Sequence, residues 1–172
     1  FFDFAQTNKQ TIMGGKHNKH KEKKAKKSVP DMVQALLTPE SKKTLIKAIG
    51  GVKFGKSFCH HETLAFKPNQ KRFDDIVTKN NLKQGDKLIV RIYEHVYEDT
   101  FGVQAVTAKA FASDKDGNEF EVVSENENSH ITCSIKSERN PVESNTLLKM
   151  DGATRSNLKL ELPATLKFVF FG

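Results

Sequence analysis

The chain has 172 residues, 37% hydrophobic and 28% charged, and carries a net charge of +7. That length fits one domain with a true core. No apolar run approaches the ~20 residues that cross a bilayer, and the start lacks the charged-then-apolar pattern of a secretory leader.

Two cysteines, Cys59 and Cys133, make no disulfide framework, so a reducing compartment, cytoplasm or nucleus, is expected. The first residue is Phe1 rather than Met, from which the chain is expected to be part of a longer polypeptide. The charge is lopsided. Residues 1–30 hold eight Lys against Asp3 and Glu22, while the other 142 residues hold 20 basic and 19 acidic side chains.

Phe1-Phe2-Asp3-Phe4 has the look of a short edge strand. Residues 16–27 are low-complexity and lysine-rich, with no apolar period. Residues 13–29 are therefore expected to form a flexible basic segment. Such a run attracts phosphate backbones without reading sequence. Lys21, Lys23, Lys24, Lys26 and Lys27 are its candidate RNA contacts.

Met32, Val33, Leu36 and Leu37 fall at helical spacing and predict a helix over 31–37. Thr38-Pro39 then offers an N-cap followed by Pro at the first helical position. Leu45, Ile46 and Ile49 form an apolar stripe, and Gly50-Gly51 ends that helix. A strand through Phe66 follows, then a short helix around Arg72–Thr78. Leu88–Tyr97, Val103–Ala112 and Glu119–Val123 read as antiparallel strands, the last two joined by a turn at Asp116-Gly117-Asn118. A strand at 130–136 follows, and Pro141 opens a short helix. Leu158–Leu162 and Leu166–Phe171 are expected as two strands broken at Pro163. Helices and strands do not alternate regularly, so the expected fold class is α+β with antiparallel sheets.

Two strands share a pattern, His61-Glu62-Thr63 and His130-Ile131-Thr132. Residues i and i+2 of a strand leave one face together, so each His should point the same way as its Thr. Imidazoles can act as general acid and general base near neutral pH, and hydroxyls can hold phosphate oxygens. Either motif alone fits a strand with one solvated face; two copies make phosphodiester chemistry the better reading. Strict alternation puts Ser57, Cys59, His61, Thr63 and Ala65 on one face of the first strand. Phe58, His60, Glu62, Leu64 and Phe66 fall on the other.

Other patterns carry less. Gly50 through Ser57 fits the phosphate-loop pattern letter for letter, but it follows a helix and precedes a strand, the reverse of the context that loop needs. No spacing of Cys and His forms a zinc set, Cys59 reads as a small packed residue, and His95 as a surface or sheet residue.

The two motifs, sixty-nine positions apart, resemble those of the two-histidine (2H) phosphoesterase superfamily. Asn140-Pro141-Val142 with Leu147-Leu148, and the terminal Leu166 to Gly172, resemble the closing part of its cyclic phosphodiesterases. The likeness spans roughly residues 55–172. It points toward 2′,3′-cyclic nucleotide 3′-phosphodiesterases and the cyclic phosphodiesterase domain of fungal-type tRNA ligases. Glu62 departs from the pattern, since an apolar or small residue normally stands between His and Thr.

The resemblance implies a bilobal fold of two antiparallel sheets lining a central cleft, with helices outside. It implies His130 as the base that activates water and His61 as the acid at the leaving oxygen, with Thr63 and Thr132 binding the phosphate. The expected substrates are RNA ends or nucleotides bearing a 2′,3′-cyclic phosphate, with no metal or cofactor, a 2′-phosphate product, and a role in tRNA splicing or RNA repair. A monomer without membrane attachment is expected. The alternative is a non-catalytic RNA-binding module using the basic segment and a sheet surface.

Overall fold

The computed structural model describes residues 29–172, so the aromatic start and the lysines of the basic segment lie outside the described residues. The chain runs β1 (Met32–Leu37), α1 (Pro39–Ala48), β2 (Lys56–Ser57), β3 (His61–Phe66) and α2 (Gln70–Phe73), which widens into a π-turn over Asp74–Thr78. Then come β4 (Lys87–Glu98), β5 (Val103–Ser113), β6 (Glu119–Glu121), β7 (His130–Ile135), a 3₁₀ turn (Pro141–Glu143), α3 (Ser144–Leu147) and β8 (Thr154–Val169). The class is α+β. Instead of the two separate sheets expected, the strands hydrogen-bond into one eight-stranded antiparallel sheet in the order β2-β7-β5-β4-β8-β1-β3, with β6 on β5.

Two elements depart from the sequence reading. The segment expected to be a helix over 31–37 is strand β1, held between β3 and β8. Val33, Ala35 and Leu37 are buried at every second position. In so short an apolar run, two flanking ladders outweigh a helical spacing of four residues. The second departure is Pro163, which lies inside the sixteen-residue strand β8 rather than ending one.

The reason is which side Pro163 faces. In an antiparallel ladder the N–H and C=O of one residue point to the same neighbour. The Pro163 carbonyl accepts from Thr38 N at 3.2 Å and from Ser41 Oγ at 2.7 Å, where β1 has ended and α1 begins. The missing N–H therefore faces a place with no ladder to break.

The α1 helix starts as its sequence implies, with the Thr38 side chain accepting from Ser41 N and Pro39 in the first turn. It ends with Gly50 N on Lys47 O and Gly51 N on Ile46 O, both glycines at positive φ. Residues 50–57 are thus a helix-to-strand connection, as the reversed context demanded. The turn before β6 also forms where expected, with Gly117 at φ 84° and the Asp114 carboxylate accepting from Asp116 N and Asn118 N.

The main core joins Leu45 of α1 and Ile49, which caps its C-terminus, with Val33, Leu64, Val90, Val106 and Leu166 of the sheet. A second cluster packs Leu147 and Leu148 on Val96, Val103 and Ile135, with Phe58 against it. At roughly 25 cal/mol per Å² of apolar surface, these clusters are the dominant stabilising contribution. No helix among the described residues is long and apolar enough to cross a membrane.

Candidate active site

The site is built where the chain changes partners. Ser57, Phe58 and Cys59 pair with β7: Ser57 opposes Ser134, Phe58 N donates to Cys133 O at 2.8 Å, and Cys59 N donates to Thr132 O at 2.9 Å. One residue later the His60 carbonyl accepts from Leu37 N at 2.8 Å, and β3 begins on β1. Cys59 makes the switch in a left-handed conformation, φ 52°. β7, second from one end of the sheet path, and β3, at the other end, are thereby drawn side by side.

Each His-x-Thr is followed by a β-bulge at the same place. Leu64 is unpaired between Thr63 opposite Gln34 and Ala65 opposite Val33. Cys133 is unpaired between Thr132 opposite Ala105 and Ser134 opposite Gln104. A bulge inserts one residue, bends its strand and re-aims the side chains beside it. Two equivalent bulges give the motifs the same local shape, though five strand-to-strand steps separate β7 from β3 along the sheet path.

His61, Thr63, His130 and Thr132 line one cavity of about 240 Å³, with Phe58, His60 and Pro141 completing its wall. The four site residues expected from the sequence therefore come together. The expected alternation of faces does not hold upstream of His61: the left-handed turn at Cys59 brings Phe58 and His60 to the His61 side. Within β3 alternation holds over His61, Glu62 and Thr63, with Glu62 fully buried behind the sheet, and breaks at the Leu64 bulge, after which Ala65 is buried and Phe66 exposed.

Hydrogen bonds set the imidazoles. His130 Nδ1 lies 2.7 Å from the Asn128 carbonyl, which can only accept, so Nδ1 carries the hydrogen and Nε2 keeps its lone pair. His61 Nδ1 is buried without a partner. Burial first, then the positive charge of His60 and His130, push the His61 pKa down to about 4. Burial also lowers that of His130, against the Asn128 carbonyl, which raises it. Both rings are therefore neutral in the free site at pH 7, and a bound phosphate anion would draw a proton onto one of them.

The hydroxyls are held as well. Thr132 Oγ1 lies 2.9 Å from Ser144 Oγ at the start of α3 and 3.3 Å from Pro141 O. Thr63 Oγ1 has only a weak 3.9 Å contact with Met32 Sδ, so its hydrogen is free to turn into the cavity.

Sequence reasoning missed Asn128, Ser144 and His60. Asn140-Pro141 with Glu143 forms a capping box, a legible signal for the helix that places Ser144. His95, expected at a surface or in a sheet, is in β4 but buried, with Nε2 3.0 Å from Gln104 Nε2. Gln104 in turn holds Lys53 N and Gly51 O, fixing the 50–57 connection. Cys59 and Cys133 are free and buried, Cys59 Sγ lying 3.4 Å from Cys133 O.

A larger hollow of about 770 Å³ lies elsewhere, among Phe73, Val77, Leu82, Phe168 and Phe170. It contains no histidine and adjoins Val29, where the described chain begins. Its wall is mainly apolar, and neither His-x-Thr pair reaches it.

No protein-family model matches the sequence, and no curated protein sequence matches it. The fold does have a counterpart. The crystal structure of a fungal RNA kinase superposes with a TM-score of 0.61 at 16% identity, over 84% of this chain and 46% of that one. The chain thus spans just under half of that protein's length, and at that identity the likeness is one of fold.

Proposed function

We propose that the protein is a phosphodiesterase that opens 2′,3′-cyclic phosphates on RNA ends or nucleotides without a metal, leaving a 2′-phosphate. The observation that carries this reading is the meeting of His61, Thr63, His130 and Thr132 at one cavity, from segments sixty-nine positions apart. The shared fold with a fungal RNA kinase agrees with a setting in RNA repair or tRNA splicing.

The chemistry follows from the groups. The phosphate lies between the Thr63 and Thr132 hydroxyls, which donate to its non-bridging oxygens. His130, with Nδ1–H held by Asn128, takes a proton from water at Nε2 as the water oxygen bonds to phosphorus. The bond from phosphorus to the ribose 3′ oxygen breaks, and His61, protonated once the anion is bound, gives that oxygen its proton. Two imidazoles and two hydroxyls thus supply base, acid and anion ligands, which is why a metal is not required. The lysines of residues 13–29 would hold the RNA backbone.

Incubation with 2′,3′-cyclic AMP, with and without EDTA, tests the proposal. The expected result is 2′-AMP alone at an EDTA-insensitive rate, lowered at least ~100-fold by His61→Ala or His130→Ala, the usual scale of general acid–base catalysis. Absence of turnover by the unaltered protein would leave the RNA-binding module as the better account.

A further inference from the structure

The larger hollow has no task in the acid–base scheme. It opens between α2 with its π-turn and the end of β8. At about 770 Å³ it falls within the ~300–1,000 Å³ typical of sites that hold a bound group. Phe73 and Phe168 meet edge to face in its wall, ring centroids 5.4 Å apart, and Val77 and Leu82 are buried there. Phe170, in the same wall, is 56% exposed. Apolar surface left open at a concave place marks a surface that something covers.

The chain itself supplies an occupant of matching chemistry. Val29, the first described residue, stands in the wall of the hollow, and 28 residues precede it. Among those, Phe1, Phe2 and Phe4 are the only Phe, Tyr or Trp, with Asp3 set between them. The hollow offers the complement, aromatic rings for aromatic rings and the Lys83 ammonium for a carboxylate. Lys83 is exposed and forms no ion pair among the described residues. The acid in the same wall, Asp74, is already hydrogen-bonded by Gln70 and Thr78.

We propose that Phe1-Phe2-Asp3-Phe4 seats in this hollow, its rings against Phe73, Phe168 and Phe170 and Asp3 beside Lys83. Twenty-four residues link Phe4 to Val29, a length that can span up to ~80 Å, so the tether allows the contact. The entropy of closing such a loop grows only slowly with its length. A tethered occupant also binds at a raised effective concentration, so a modest apolar contact suffices. The lysine-rich residues 16–27 then belong to a loop anchored at both ends on the body of the protein.

The chain contains no Trp, so Phe2→Trp or Phe4→Trp in the full chain gives a fluorophore that reports on this segment alone. The indole should emit at shorter wavelength than in urea and resist quenching by acrylamide. Phe170→Ser should abolish both effects, and Lys83→Glu should weaken them. Adding Asp3→Lys to Lys83→Glu should restore the protection. Phe171→Ser removes a comparably exposed ring that lies against Phe66 outside the hollow, and should leave the emission unchanged.

A solvent-exposed indole at both positions overturns the proposal. So does protection that survives Phe170→Ser, which would seat the segment elsewhere. Protection lost on dilution, with a matching fall in mass by light scattering, assigns the hollow to a second copy and overturns it as well. None of these readouts involves turnover, so the phosphodiesterase reading stands or falls separately.

Discussion

The Ser129 hydroxyl donates to Glu62 Oε1 at 2.9 Å, tying the middle residue of the first His-x-Thr to the residue just before the second. Glu62 is fully buried, its other oxygen has no partner, and burial pushes its pKa up to about 7. The acid in the first motif therefore stands behind the site, on the strand face opposite His61 and Thr63, and bridges two segments that must stay in register.

That carboxyl makes stability depend on pH with a definite sign. Its folded value, about 7, lies above the reference 4.5, so its contribution is complete below about 4.5 and is lost as pH rises through about 7. His61 acts oppositely. Its folded value, about 4, lies below 6.5, so stability is complete above about 6.5 and falls as pH drops through about 4. Glu62→Gln should match the unaltered protein near pH ~4.5 and exceed it near pH ~8, by at most about 3 kcal/mol. Urea unfolding at the two pH values checks this; a uniform loss at both would contradict the assignment.

The rate should respond to pH differently in the free and the occupied site. Burial lowers both imidazoles below 6.5, so the proton required on His61 is scarce in the free protein at neutral pH. A bound phosphate anion raises the value of each neighbouring ring. The bell of kcat/KM should accordingly peak at lower pH than the bell of kcat, since the first reports the free enzyme and the second the complex. Initial rates from about pH 4 to about pH 9 give both curves, and superimposable bells would count against the scheme.

What was legible in the sequence was local and periodic. The cap at Thr38, the stop at Gly50-Gly51, the alternating strands β4 and β5, and the two His-x-Thr pairs all rest on spacing within a few residues. What was not legible depended on partners far along the chain. Met32–Leu37 is a strand because β3 and β8 flank it, and Pro163 is tolerated because β1 stops beside it. Phe58 and His60 share a cavity with His61 because one non-glycine residue, Cys59, adopts a positive φ that no residue type announces. The single sheet belongs to the same group, since joining two expected sheets through β4 and β8 is a long-range pairing.

Thr132 offers a test of hydroxyl function apart from packing. Its Oγ1 sits between Ser144 Oγ and Pro141 O, so the hydroxyl is already oriented at the cavity wall. Thr132→Val keeps the shape and removes the donor. A hydrogen bond to a charged group contributes about 1.5–3 kcal/mol, so kcat/KM should fall roughly 10- to 150-fold. Thr132→Ser should restore most of it. Ser144→Ala leaves the donor in place and loosens its orientation, and a smaller loss is expected. If Val and Ser replacements behave alike in steady-state kinetics, the hydroxyl does not hold the phosphate.

Cys59 decides the path of the chain, and its substitutions should rank by backbone conformation rather than by size. A residue with a Cβ gives up roughly 1–2 kcal/mol in the left-handed region, and a β-branched one more. Cys59→Gly removes that cost while losing a buried thiol worth about 1 kcal/mol and adding unfolded-state entropy, so its stability should stay within about 1 kcal/mol of the original. Cys59→Val adds branching at φ 52° inside a fully buried position and should destabilise by more than about 2 kcal/mol. Cys133 sits at a bulge without a positive φ, so Cys133→Val should cost less than Cys59→Val. Denaturant midpoints for the three variants settle the order; Gly proving worse than Val at position 59 would show that packing, not the turn, governs the site.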